Sequence, residues 1–422
     1  MPVVKPVRKG AKLANTTEFT TEAAEGIQVG DAVTVEYRFG EVLEHTFATP
    51  AQVRCAVYSP DGQKLFICTS SLITVYSCVD YSVLDSRSLH GMPQDITIKP
   101  DGSHIAVVYT STTDPTGEFF SGSQYAFLCV YDADTLELLW WRDIGLSGQV
   151  SGGTRCIAKY SATGKYLVTS NINTGALQIY TTDALPYTES AAPVGYQVSS
   201  PIIRGITYNH DDSVLALMYS NIIGLYDNTG EYPLEVAFTT GVNSGSGNAS
   251  WTTLAYNQDE SRLYMAWQSF SSNESVQGFD VTKNSITVMQ ANIAGRANGM
   301  ICAISPDATR IISVSPTNFA PRAPFALSHV PPEIPVYIDY PDLPERIDTD
   351  KLSYALFEPD GNAFVLFGCT ADDTSSPGSA YVYSCRKYIR RATVNNTKDA
   401  VGVGYAPYSI KAGEVGTVSL LY

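Results

Sequence analysis

Basic charge is scarce in this sequence: 27 lysines and arginines face 42 aspartates and glutamates, a formal net charge of −15. Such a balance repels phosphate backbones and anionic lipid alike, so nucleic acid is not expected as a partner of the main body. Long apolar runs are missing as well. None approaches the roughly 18 residues of a membrane helix, and Met1–Lys12 is basic without the apolar stretch of a signal peptide. Neither membrane insertion nor general secretion is expected.

Local catalytic signatures are absent. The five histidines, His45, His90, His104, His210 and His329, lie far apart with no pair at metal-ligand spacing. No Gly-x-Ser-x-Gly elbow, Walker loop or dinucleotide fingerprint occurs. Gly245–Ser250 reads as a connector without the helix that phosphate binding would need, and Asp372-Asp373 as a solvated loop rather than a calcium site. No catalytic, cofactor-binding or metal-binding residue is therefore expected, and no cofactor. Residues converging from distant segments on a central channel would leave no such local trace.

The eight cysteines, Cys55, Cys68, Cys78, Cys129, Cys156, Cys302, Cys369 and Cys385, form no C-x-x-C. Most sit in apolar strand-like segments, where free thiols act as small hydrophobes, and this points to a reducing compartment.

What remains is ample material for a core. Hydrophobic residues make up 44%, tyrosine (27) exceeds phenylalanine (15), and 32 glycines with 23 prolines favour short strands joined by frequent turns. One pattern recurs seven times: a short apolar strand, a polar turn, then a strongly apolar strand. The turns are Ser59-Pro60-Asp61-Gly62, Lys99-Pro100-Asp101-Gly102, Ser161-Ala162-Thr163-Gly164, Asn209-His210-Asp211-Asp212, Asn257-Gln258-Asp259-Glu260, Ser305-Pro306-Asp307-Ala308 and Glu358-Pro359-Asp360-Gly361. Proline presets φ and Asp-Gly tolerates a tight return, so each is a hairpin tip. The strands that follow, such as Leu65-Phe66-Ile67-Cys68 and Phe364-Val365-Leu366-Phe367, are apolar on both faces and are expected between neighbouring sheets. A third strand ends in pairs such as Val75-Tyr76 and Leu225-Tyr226 in every repeat but the sixth.

Over residues 51–394 these repeats resemble the WD-repeat and YVTN-type propellers, without the Trp-Asp and Gly-His pairs of true WD repeats. The resemblance implies an all-β fold, a seven-bladed β-propeller, closed within residues 51–394 by seven four-stranded units. Antiparallel order puts the short turns on one face and most long insertions on the other. The blade-six insertion, Asn318–Asp350, carries many prolines among Phe319, Phe325, Tyr337 and Tyr340. It is either a candidate interaction surface or a cover packed on its own blade.

The arms, 1–50 and 395–422, are then not needed for closure. Each offers too few strands to be stable alone, so they are expected to pair into one small β-domain into which the propeller is inserted. Val29-Gly30-Asp31-Ala32-Val33-Thr34-Val35, Val401-Gly402-Val403-Gly404-Tyr405 and Ala412-Gly413-Glu414-Val415-Gly416-Thr417-Val418-Ser419-Leu420 resemble segments of tailed-bacteriophage capsid decoration and head-fibre proteins. That resemblance implies a structural virion protein, assembled in the host cytoplasm. Its candidate anchoring residues are Asp31, Val33, Val35, Val401, Val403, Val415 and Val418. Its partners would be other virion proteins of capsid or tail, a host-surface glycan or protein, and further copies of itself in a homo-oligomer. Basic residues cluster towards the arms, at Lys5, Arg8, Lys9 and Lys12 and at Arg386, Lys387, Arg390 and Arg391, which suits docking onto an acidic protein surface. The alternatives are a propeller enzyme, such as a lactonase-like hydrolase, and an intracellular protein-interaction scaffold.

Overall fold

The computed structural model describes residues 16–22, 32–119, 125–146, 156–170, 177–190, 203–219, 222–227, 235–239, 252–267, 276–282, 285–288, 301–308, 310–314, 325–329, 351–369, 376–394, 404–405 and 415–421. Among the described residues every regular element is a β-strand. The chain divides into two compact units, Leu43–Tyr383 and Met1–Val42 with Ser384–Tyr422.

The smaller unit takes strands from both ends of the chain. They are β1 (Thr16–Glu22), the start of β2 (Ala32–Thr49), β29 (Gly404–Tyr405) and β30 (Val415–Leu421). β1 pairs antiparallel with β30, β30 with β29, and β29 with β2.

In the larger unit the strands run as antiparallel meanders. The first sheet is β3 (Cys55–Tyr58), β4 (Lys64–Cys68), β5 (Leu72–Ser77) and β6 (Val83–Ser88). The second is β7 (Met92–Ile98), β8 (His104–Ser111), β9 (Tyr125–Asp132) and β10 (Leu138–Leu146), and the third β11 (Ile157–Tyr160), β12 (Tyr166–Ser170), β13 (Leu177–Thr181) and β14 (Thr188–Ser190). The fourth comprises β15 (Ile203–Tyr208), β16 (Val214–Tyr219), β17 (Ile222–Asp227) and β18 (Glu235–Thr239). The fifth comprises β19 (Thr252–Tyr256), β20 (Arg262–Trp267), β21 (Val276–Thr282) and β22 (Ser285–Val288). The sixth shows three described strands, β23 (Ile301–Ile304), β24 (Arg310–Val314) and β25 (Phe325–His329). The last follows the order β26 (Lys351–Phe357), β27 (Ala363–Cys369) and β28 (Gly378–Val394).

Beside β28 the fourth place is filled by the end of β2, where the Thr49 hydroxyl lies against Gly378. This corrects the expectation of closure within 51–394. The entering chain supplies the outer strand of the final sheet, so Leu43–Thr49 belongs to the larger unit. First strands touch in sequence, β3 on β7, then β11, β15, β19, β23 and β26, and β26 returns to β3. The circuit is closed.

Strand alternation explains the core. Ile105, Val107 and Tyr109 of β8 pack toward the first sheet with Phe66 and Cys68, whereas Ala106 and Val108 between them pack toward the third with Ala158 and Leu167. β4 and β16 divide in the same way: Leu65 and Ile67 face the last sheet, and Leu215 and Leu217 face the third. A strand sandwiched between two sheets must be apolar at every position, which is what the doubly apolar second strands encode. Cys55, Cys68, Cys78, Cys129 and Cys156 are free thiols, and all of these but Cys78 are buried.

All seven turns close alike, the fourth residue donating its N–H to the carbonyl of the first, at 2.8–3.2 Å. That fourth residue is left-handed each time: Gly62, Gly102, Gly164 and Gly361, but also Asp212 (φ +62°), Glu260 (+59°) and Ala308 (+53°). A Cβ in this region costs roughly 1–2 kcal/mol. Ala308→Gly is therefore expected to raise stability by about 0.5–1 kcal/mol, the rest being offset by glycine's extra freedom when unfolded. Denaturant melts of the two proteins check it, and a lower midpoint for the glycine variant would show that the Ala308 methyl contributes more by packing.

Candidate interaction faces

The short turns gather on one face because every first-to-second-strand hairpin points the same way. Adjacent turns touch. A Cβ built on Gly102 would lie 3.7 Å from Pro60 Cδ, one on Gly164 3.1 Å from Pro100 Cδ, and one on Gly361 3.9 Å from Pro306 Cδ. Gly62 meets Pro359 of the last turn at 3.9 Å, so the contacts run across the closure.

At two of the turns without glycine, those of Asp212 and Glu260, a carboxylate bridges to the preceding turn instead. Ser161 Oγ donates to Asp212 Oδ2 at 2.6 Å and the Thr163 N–H to Oδ1 at 3.1 Å, with the Thr163 hydroxyl adding a further bond. The His210 N–H donates to Glu260 Oε1 at 2.6 Å, and Asn209 Nδ2 to Oε2 at 3.2 Å. Charge-assisted bonds of this kind offset the left-handed backbone. Exposed turn aspartates keep the face acidic. The Ser59 hydroxyl and the Gln63 N–H hold the Asp61 carboxyl below its ordinary range, as the Ser261 hydroxyl and N–H do for Asp259.

Side chains on the first strands also cover open strand edges. Asp95 Oδ2 accepts the Ala158 N–H at 3.0 Å, and Thr97 Oγ1 the Tyr160 N–H at 3.3 Å, which occupies donors that β11 would otherwise leave open. Between these bonds Lys159 reaches solvent yet is crowded by protein. Its ammonium is lowered by desolvation, with Asp95 opposing.

On the opposite face the described part of the blade-two insertion is a self-capped loop. Asp114 Oδ1 accepts the N–H of Thr116 and of Glu118 at 2.8 and 3.0 Å. The Ser111 and Thr113 hydroxyls donate to the His90 carbonyl. Phe119 is left 73% exposed and Met92 38%, the apolar groups this face presents among the described residues. Neither stands out in the sequence, because neither lies in a proline-rich run.

Of the aromatic candidates, Phe325 opens β25 and pairs with Val314, which gives the sixth sheet its third strand. It belongs to a strand and not to the insertion. Phe319, Tyr337 and Tyr340 lie outside the described residues. Val33 pairs with Gly404 and Val35 follows it in β2, while Val415 and Val418 pair with Glu22 and Phe19. Asp31, Val401 and Val403 lie outside the described residues. Among the described residues no group of three His, Cys, Asp or Glu side chains could hold a metal ion.

Three solved structures share this arrangement. The β-propeller domain of Cps50 (Swd1) from Myceliophteria thermophila matches with a TM-score of 0.57 at 10% identity, over 82% of this chain and 100% of that one. A chain of a mitotic checkpoint complex matches with 0.57 at 12%, over 83% and 94%, and Raptor from Chaetomium thermophilum with 0.56 at 8%, over 85% and 30%. The fold is a β-propeller. At such identity the likeness concerns the propeller fold alone. No protein-family model matches the chain, and no curated protein does.

Proposed function

We propose that this propeller has seven blades and is a non-enzymatic display module, inserted into a terminal β-domain that anchors it in a tailed-phage particle. The observation that carries the reading is the sheet in the smaller unit, where β1 and the start of β2 from one end of the chain pair with β29 and β30 from the other. A scaffold entered and left through one paired sheet is suited to projecting a rigid ring from a larger assembly. The phage assignment rests on the resemblance of the arm segments 29–35, 401–405 and 412–420 to decoration and head-fibre proteins. On this reading the partners are other virion proteins and further copies of the chain, with host-surface glycan or protein as the displayed face's target.

Immunogold labelling of purified particles with antibody to residues 43–383 is expected to decorate them at regular sites. Particles that stay unlabelled, while the protein is found free in the lysate, would overturn the virion reading. A second reading, an intracellular interaction scaffold, is favoured by the neighbour that comes from a mitotic checkpoint complex. It predicts a soluble protein that never sediments with particles.

A further inference from the structure

In a chain-ordered ring every neighbouring pair of blades is linked by consecutive sequence, and the seam between the last blade and the first is held shut by the end of β2. If Leu43–Thr49 leaves β28, the ring opens there. The side chains at this seam form an unusual mixture. Phe47 stacks on Tyr81 with centroids 4.8 Å apart and an interplanar angle of 13°, and His45 stacks on the same ring at 4.9 Å. Phe47 also meets Tyr76 at 4.9 Å, and the Tyr76 hydroxyl donates to the Ala48 carbonyl at 3.3 Å. Beneath them Val53, Ala56, Leu65 and Ile67 of the first blade pack with Val365, Phe367, Ala380 and Val382 of the last.

The final turn abuts the first blade here, a Cβ built on Gly62 lying 3.9 Å from Pro359 Cδ, and it carries Glu358. Among the described residues its half-buried carboxyl has no hydrogen-bond or ion-pair partner. The titratable groups around it belong to β2, the first blade and its own turn. Glu44 and His45 come from β2, Tyr58, Asp61, Cys78 and Tyr81 from the first blade, and Asp360 from its own turn. Lys64 of the first blade is engaged by Asp134 at 2.6 Å. Burial pushes the Glu358 carboxyl up to about 7, with Asp360 and Glu44 adding to the shift. Burial likewise pushes the Cys78 thiol up to about 12, with Glu358 and Asp61 contributing.

We propose that this seam is a proton-dependent latch: with Glu358 protonated the final turn seats against Tyr58, Cys78 and Tyr81, and with Glu358 ionised the contact loosens and Leu43–Thr49 detaches from β28. The sign follows from linkage. An unfolded glutamate titrates near ~4.3, so the closed seam binds its proton more tightly than the open one. Closure is then fully favoured below that value and is lost progressively as pH rises through the closed-state value. Elsewhere in the ring no covalent break exists, so the loss is confined to this seam.

Hydrogen exchange on the full chain, corrected for the intrinsic pH dependence of exchange, tests it at residues 43–49 and 378–383. From pH 5.5 to 8 the opening constant of this segment is expected to rise by at least about tenfold in the wild type, allowing for partial solvent screening of a half-exposed group. Glu358→Gln, neutral throughout, is expected to keep the segment protected at both values, while β11 and β12 exchange alike in both proteins. An equal rise in wild type and Glu358→Gln would overturn the proposal. Should the glutamine variant fail to fold, Asp360→Asn keeps Glu358 and removes its first charged neighbour. It should move the midpoint of opening down by about half a pH unit, and an unmoved midpoint would equally overturn the latch.

Discussion

Two shortened chains, one of residues 43–394 and one of residues 51–394, are expected to behave as a folded propeller and an aggregating one. They differ by eight residues, LEHTFATP, which hold the end of β2. Without them β28 becomes an open edge in the last blade, and an unpaired edge invites pairing with other chains. Phe47 also leaves its place between Tyr76 and Tyr81. The aromatic packing and the lost ladder together are worth about 3–4 kcal/mol. For a unit of this size that corresponds to a melting temperature lower by roughly 4–6 °C. Calorimetry and size-exclusion chromatography compare the two directly. Equal melting, with both chains monomeric, would show that the last blade closes without β2.

Gly91→Ala is expected to be the most damaging single methyl that can be added among the described glycines. A Cβ there would lie 2.5 Å from the Thr110 carbonyl oxygen, 2.5 Å from Tyr109 Cδ2 and 2.7 Å from Ser111 Cβ. None of the three can yield cheaply. Thr110 is in the β8 ladder, opposite both Met92 and Ala126. Tyr109 is wholly buried against Phe127, and Ser111 is tied to the His90 carbonyl. Relief requires moving the end of β8, and with it the base of the loop that carries Phe119. Overpacking of a well-filled site costs typically 1–3 kcal/mol, and a clash with backbone and core together belongs at the top of that range, about 3 kcal/mol. Urea titration measures it. A variant within about 0.5 kcal/mol of wild type would mean that the His90–Met92 segment relaxes freely.

The repeat was legible because its parts are local. Each Pro-Asp-Gly-like turn carries its own backbone logic, and each doubly apolar strand announces that both its faces are covered. Phe325 was misplaced for the opposite reason. Its segment, Phe325-Ala326-Leu327-Ser328-His329, is short and preceded by prolines, so nothing in it separates an insertion from a strand until it is paired with Arg310–Val314. Phe119 and Met92 were invisible in another way: single exposed apolar residues have no signature in sequence, since exposure depends on what the rest of the chain leaves uncovered.

By itself the sequence determined the all-β class, the seven turns and the second strands at the centre of each sheet, because those follow from φ preferences and from the period-two alternation of side chains. Tertiary structure alone decided which strand closes the last blade. β2 alternates like any edge strand, and its partner β28 lies more than 300 residues away along the chain. It also decided that Asp212 and Glu260 reach back to the preceding turn, that Lys159 is crowded between bonds made by Asp95 and Thr97, and that the turn carrying Glu358 abuts the Gly62 turn across the seam. Such neighbours are set by ring closure, a contact between distant segments that no local window of sequence contains.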